Sequence, residues 1–127
     1  MDAKWINVGC DRRIGPGQPA LIVAELGQNH NGDLSLAEEL IDAAAWAGAD
    51  AVKLVKRDLA SELSHEARHR RYDSRHAFGA TYGEHRQALE LSADEHAALA
   101  RRARGHGLAF LATACDLPSA ALVDSLE

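Results

Sequence analysis

The run Leu21-Ile22-Val23-Ala24 is apolar at every position, and it is closed by Glu25 and a polar stretch that ends in a helix. A strand with apolar side chains on both sides of its pleat belongs in a parallel sheet covered on both faces. Parallel strands need a crossover between them, usually a helix. Glu25 then stands at the end of a strand where desolvation is costly unless a partner offsets it. Between Ala24 and Asp33 the chain adds Gln28, Asn29, His30 and Asn31, more hydrogen-bonding side chains than folding requires. The carboxyl ends of parallel strands are where β/α folds hold their ligands.

The same alternation continues along the chain. Ahead of it, Trp5 to Val8 and the turn Gly15-Pro16-Gly17 predict a short hairpin that lids one end. Ser35-Leu36-Ala37-Glu38 has capping-box spacing, with Asp33 as the other cap candidate, and Leu36, Leu40, Ile41 and Ala44 recur on one helical face before Gly48 stops it. A second strand, Ala51 to Val55, follows at once. Residues 57–91 form a long polar segment without a sustained period until about Tyr82, too long for an ordinary connection and so expected to be functional or mobile. Ser92-Ala93-Asp94-Glu95 opens another helix that ends near Gly105 or Gly107. A third strand covers Leu108 to Ala114, and Pro118 fits the first turn of a helix after Asp116. Three strands do not close a barrel, and an isolated three-stranded parallel sheet leaves two edges and a face uncovered, so the order predicts the first part of a larger β/α structure.

At 127 residues with 46% hydrophobic and 26% charged, the chain has the size and make-up of one globular domain, which excludes disorder. A formal charge of -5 gives no general attraction for nucleic acid or an anionic membrane. No apolar run reaches the length of a membrane span and no signal-peptide core follows Met1, so a cytoplasmic protein with a small-molecule partner is expected. Cys10 and Cys115 have neither metal-ligand nor redox spacing and are read as reduced thiols.

The segments LIVAELGQNHNGD (residues 21–33), AEELIDAAAWAGADAVKL (37–54) and LELSADEHAALARRARGHGLAFLATACD (89–116) resemble, in order and spacing, the N-terminal part of the sialic acid synthase family. The resemblance covers nearly the whole chain apart from the middle of the long loop. It implies a fold: a partial TIM (β/α)8 barrel, about the first three βα units with a short N-terminal β-hairpin, filling residues 1–127. It also implies a reaction, the condensation of phosphoenolpyruvate with an N-acyl amino sugar aldehyde to give a 2-keto-3-deoxy sugar acid and phosphate. By resemblance Glu25 matches an active-site glutamate, Lys53 a phosphoenolpyruvate-binding lysine and Thr113 a threonine that hydrogen-bonds the same ligand. A divalent metal ion, Mn or Mg, is implied as cofactor, with histidine ligands from later strands, so no metal ligand is assigned in this chain.

Read for themselves, these residues keep simpler alternatives. Glu25 and Lys53 could form a structural ion pair, and Lys53 could snorkel out of the sheet; Lys56 and Arg57 are read as surface charges. Asn29, His30 and Asn31 either shape the turn or contact the ligand, and His30 alone makes no metal site. Thr113 is by default a β-former. The basic loop, Arg68 to Arg71 with Arg75, His76, His85 and Arg86, is either a solvated surface or a lid in which His85 and Arg86 meet an anionic substrate.

Two departures from the family pattern bear on the acceptor sugar. Lys53 is followed by Leu54-Val55 where many members carry Phe-Gln or Leu-Gln, and FLATACD replaces the commoner FLSTPFD. The alternative to an enzyme is an inactive truncated or excised barrel fragment that acts only as a binding or assembly module. On either reading the chain is expected to need the remaining barrel strands or an oligomer.

Overall fold

The apolar runs Val23–Gly27, Ala51–Lys56 and Ala109–Ala114 form the central sheet. The computed structural model describes residues 4–8 and 12–126. A small antiparallel hairpin, β1 (Ile6–Asn7) and β2 (Arg13–Ile14), precedes the sheet. Its strands flank residues 8–12, and the Gly-Pro-Gly turn falls after β2 instead of between the strands. Gln18 N–H donates to the Gly15 carbonyl at 3.1 Å and Gly17 has φ +76°, so Pro16 and Gly17 occupy the central positions of a turn that redirects the chain toward the sheet.

The sheet strands are β3 (Val23–Gly27), β4 (Ala51–Lys56) and β5 (Ala109–Ala114), ordered β3-β4-β5 and all parallel. The helix α1 (Leu34–Trp46) makes the first crossover. Asp33 caps it by accepting from Leu36 N–H, so Ser35 lies inside the first turn and caps nothing. Between β4 and β5 come α2 (Leu59–Glu62), α3 (His65–His69), α4 (Tyr82–Ala88) and α5 (Ala93–Gly105). The long segment thus carries three short helices. Asp58, Ser64 and Thr81 cap them, and helices of four or five residues are too short to show a sequence period. Ser92 and Glu95 form the expected capping box on α5, and Pro118 sits in the first turn of α6 (Leu117–Asp124), capped by Asp116.

One face of the sheet carries the core. Leu26, Val52 and Leu54 pack with Ile41 and Ala44 of α1 and Leu99 and Ala103 of α5, and Leu91 and Leu108 close the ends. Each large side chain buried this way contributes about 1.5–3 kcal/mol. The other face is open: Val23 is 38% and Leu111 41% exposed. The apolar first strand is therefore covered on one face by this chain, not on both, because α1 and α5 lie on the same side. No helix among the described residues is long and apolar enough to cross a membrane.

Candidate functional site

Side chains alternate along a strand, so the register of β3, β4 and β5 decides what shares the open face. Glu25 pairs with Lys53, Lys53 with Leu111, and Val55 with Thr113. Glu25, Lys53 and Leu111 thus form one row, and Val55 and Thr113 form the next row toward the carboxyl ends. Lys53 Nζ lies 2.7 Å from Glu25 Oε2, with the two side chains 39% and 52% exposed. The pair is therefore wet, and desolvation does not penalise Glu25 as a doubly covered strand would have implied.

Local backbone geometry aims the carboxylate. The register slips between Glu25 and Gly27, leaving Leu26 as the extra residue of a bulge, and Gly27 takes φ +53°. Its N–H then reaches back to Glu25 Oε1 at 3.1 Å. Bulges re-aim side chains at strand ends in this way. One oxygen of Glu25 is held by the backbone and the other by Lys53.

The Asn29-His30-Asn31 stretch shapes the turn. Asn29 Nδ2 donates to the Leu26 carbonyl at 3.0 Å, and Asn31 sits in the left-handed region at φ 53°. His30 is buried, and its Nδ1 accepts from Gly32 N–H at 3.1 Å, which places the proton of the neutral ring on Nε2. Burial, reinforced by nearby His96, pushes its pKa below the ordinary imidazole value. Asn29 and Asn31 remain exposed on the turn.

The basic-loop residues divide. His85 is buried between Tyr72 and Phe78, with ring centroids at 4.5 and 5.9 Å, and its Nδ1 accepts from Phe78 N–H. Desolvation, then the neighbouring Arg86 charge, lowers its pKa. Arg86 donates through Nε to Tyr82 Oη and through a terminal nitrogen to Gln28 Oε1, both at 2.9 Å. It is thereby tied to the turn that follows Glu25.

That contact opens a network which sequence reasoning missed. Gln28 Nε2 donates to Glu90 Oε1 at 2.9 Å, while Lys56 Nζ and Arg57 N–H donate to Glu90 Oε2 at 3.0 and 3.2 Å. Because Arg86 can only donate and ionised Glu90 can only accept, the Gln28 amide has one possible orientation. The Lys56 and Glu90 side chains are 14% and 7% exposed, and Arg57 pairs with Glu62, so Lys56 and Arg57 are not the surface charges expected. The only sequence signal was their position directly after a strand that carries Lys53.

Cys115 is a free, half-buried thiol, and Cys10 lies outside the described residues. Among the described residues no three His, Cys, Asp or Glu side chains converge as a metal site requires. These residues do not fit a divalent cation by themselves.

A parallel sheet crossed by helices on one face, with a charged pair on the other, is the architecture of a β/α protein. The NeuB family model matches residues 40–127, and the chain belongs to that family. It is 42% identical over 105 residues to human N-acetylneuraminate-9-phosphate synthase, covering 83% of this chain and 29% of that protein. It is 37% identical to the N,N'-diacetyllegionaminic acid synthase of Legionella pneumophila, covering 94% and 35%. Among solved structures it resembles the N-acetylneuraminic acid (sialic acid) synthetase of Leptospira borgpetersenii, crystallised with citrate, with a TM-score of 0.74, 29% identity, and 98% of this chain matched to 39% of that one. The chain thus spans about a third of the length of the relatives it matches, and its fold is a partial TIM barrel.

Proposed function

We propose that this chain supplies the phosphoenolpyruvate side of a nonulosonic acid synthase site, completed by further barrel strands. The observation that carries the reading is the Glu25–Lys53 pair, set 2.7 Å apart on adjacent parallel strands of the open face. An ammonium in that place suits an anion bearing phosphate and carboxylate, and the Thr113 hydroxyl, one row on, adds a donor. Membership of the NeuB family and relatives named as synthases of sialic and legionaminic acids support the substrate class.

In the reaction the enol carbon of phosphoenolpyruvate attacks the open-chain aldehyde of an N-acyl amino sugar. Water adds at the phosphate-bearing carbon, the carbon–oxygen bond to phosphate breaks, and a 2-keto-3-deoxy acid and inorganic phosphate leave. Lys53 holds the anion, while Glu25 moves protons as the aldehyde oxygen and the added water change charge. Asn29, exposed on the turn beside Glu25, is available to the sugar. His30 and His85 act by holding the turn and loop in shape, and Arg86 by fixing Gln28. A divalent cation polarises the aldehyde in such chemistry. We place its ligands beyond the described residues, and no step here is assigned to it.

The test is product formation from phosphoenolpyruvate and N-acyl hexosamines, followed by phosphate release and detection of the keto acid, in protein that carries this chain with its remaining strands. Glu25→Gln keeps the shape but not the proton transfer, so turnover should fall about a hundredfold or more with little change in phosphoenolpyruvate affinity. Normal turnover by Glu25→Gln would remove it from the chemistry.

A further inference from the structure

We propose that Glu90 is a positioning residue: a single buried carboxylate that clamps the ends of β3 and β4 and thereby sets the geometry of the Glu25–Lys53 pair. The inference rests on the reading of that pair as the anion-binding site. Its basis is where the three donors to Glu90 come from. Gln28 follows Gly27, whose N–H holds Glu25 Oε1, so Glu90 Oε1 fixes the β3 side one residue beyond the carboxylate's own anchor. Lys56 and Arg57 continue β4 beyond Lys53, so Glu90 Oε2 fixes the β4 side. Arg86 and Tyr82 lock Gln28 from the opposite direction.

Glu90 belongs to neither strand. It lies between α4 and the capping box of α5, 62 residues from Gln28 and 34 from Lys56 in the chain. Nothing about α5 packing requires a carboxylate at 7% exposure there, since an apolar side chain would bury at less cost. What only an anion supplies is simultaneous acceptance from an amide, an ammonium and a backbone N–H. Glu90→Gln replaces one acceptor oxygen with a donor, so either the Lys56 and Arg57 side or the Gln28 side must let go.

The experiment is a double-mutant cycle on phosphoenolpyruvate affinity, with parent, Glu90→Gln, Lys53→Ala and the double variant titrated calorimetrically. Glu90→Gln should weaken binding about tenfold when Lys53 is present and less than about twofold when it is Ala, the pattern of a residue acting through another. Equal losses in both backgrounds would overturn the proposal. In parallel, 13C signals of the Lys53 Cε and Glu25 Cδ atoms should shift in Glu90→Gln but not in the exposed control Asp94→Asn. If they stay unmoved while only the melting temperature falls, Glu90 is merely structural. Should Glu90→Gln not fold, Gln28→Met removes the β3 arm alone and should shift the Glu25 signal, and an unmoved signal there also overturns the proposal. If the parent does not bind phosphoenolpyruvate at all, the functional reading fails, while the 13C arm still decides whether Glu90 positions the pair.

Discussion

Glu25 and Lys53 touch, yet they answer to different physics. In the function we propose, Lys53 contributes a charge whose value depends on an anion arriving and Glu25 a proton-accepting oxygen; that carboxylate is aimed by a bulge and by Gly27 at φ +53°. Both were legible in the sequence, because a carboxylate and an ammonium next to apolar strand residues stand out against their neighbours. Gln28, Lys56 and Glu90 were not, since each is an ordinary polar residue until long-range contacts bring them together. Gly32 shows the same divide. At φ +78° it starts the helix-entry turn, and a Cβ there would run into the Ala88 carbonyl oxygen, a close approach no local pattern reveals. Gly32→Ala therefore incurs both left-handed backbone strain and a backbone clash, and we predict a loss of about 2 kcal/mol or more in urea unfolding. A loss within a few tenths would mean that the α4–α5 junction is free to retreat.

Among the elements, α1 and α5 are fastened at their outer edge by Asp42, which accepts from Arg102 Nε at 2.8 Å and from a terminal Arg102 nitrogen at 2.6 Å, with His106 Nε2 at 2.8 Å. The Arg102 hydrogen bonds first, and His106 second, hold its carboxyl at about 2 against an ordinary 3.8. A folded pKa below the unfolded one gives stability that is complete above about pH 4 and is lost as pH falls toward 2. The urea midpoint of Asp42→Asn should therefore lie below that of the parent at pH 5, and the gap should close by pH 2. A gap independent of pH would show that the ion pair is not its source. The two long helices were legible from apolar period and caps, and α5 began where Ser92 and Glu95 said. The first cap went to Asp33, two residues before Ser35, because its carboxylate is the one that accepts from Leu36 N–H. Helices α2 and α3 escaped because single turns have no face to repeat.

At the level of the whole molecule, the sheet is covered by helices on one side, while its other side exposes Val23, Leu111 and the charged pair. The strand count and the parallel order were legible. The identity of what completes the open face was not, because a strand's composition reports that it is covered without reporting by which chain segment. In the function we propose, the anion-binding half of a condensing site lies on that face, with Lys53 as the contact to phosphoenolpyruvate. The most direct measurement is a calorimetric titration with phosphoenolpyruvate of protein carrying this chain and its remaining strands, comparing parent, Lys53→Ala and Thr113→Ala. Lys53→Ala should lose a charge-assisted contact of about 1.5–3 kcal/mol, roughly a ten- to hundredfold weaker affinity, against about 1 kcal/mol for the Thr113 hydroxyl. Unchanged binding by Lys53→Ala would contradict the account.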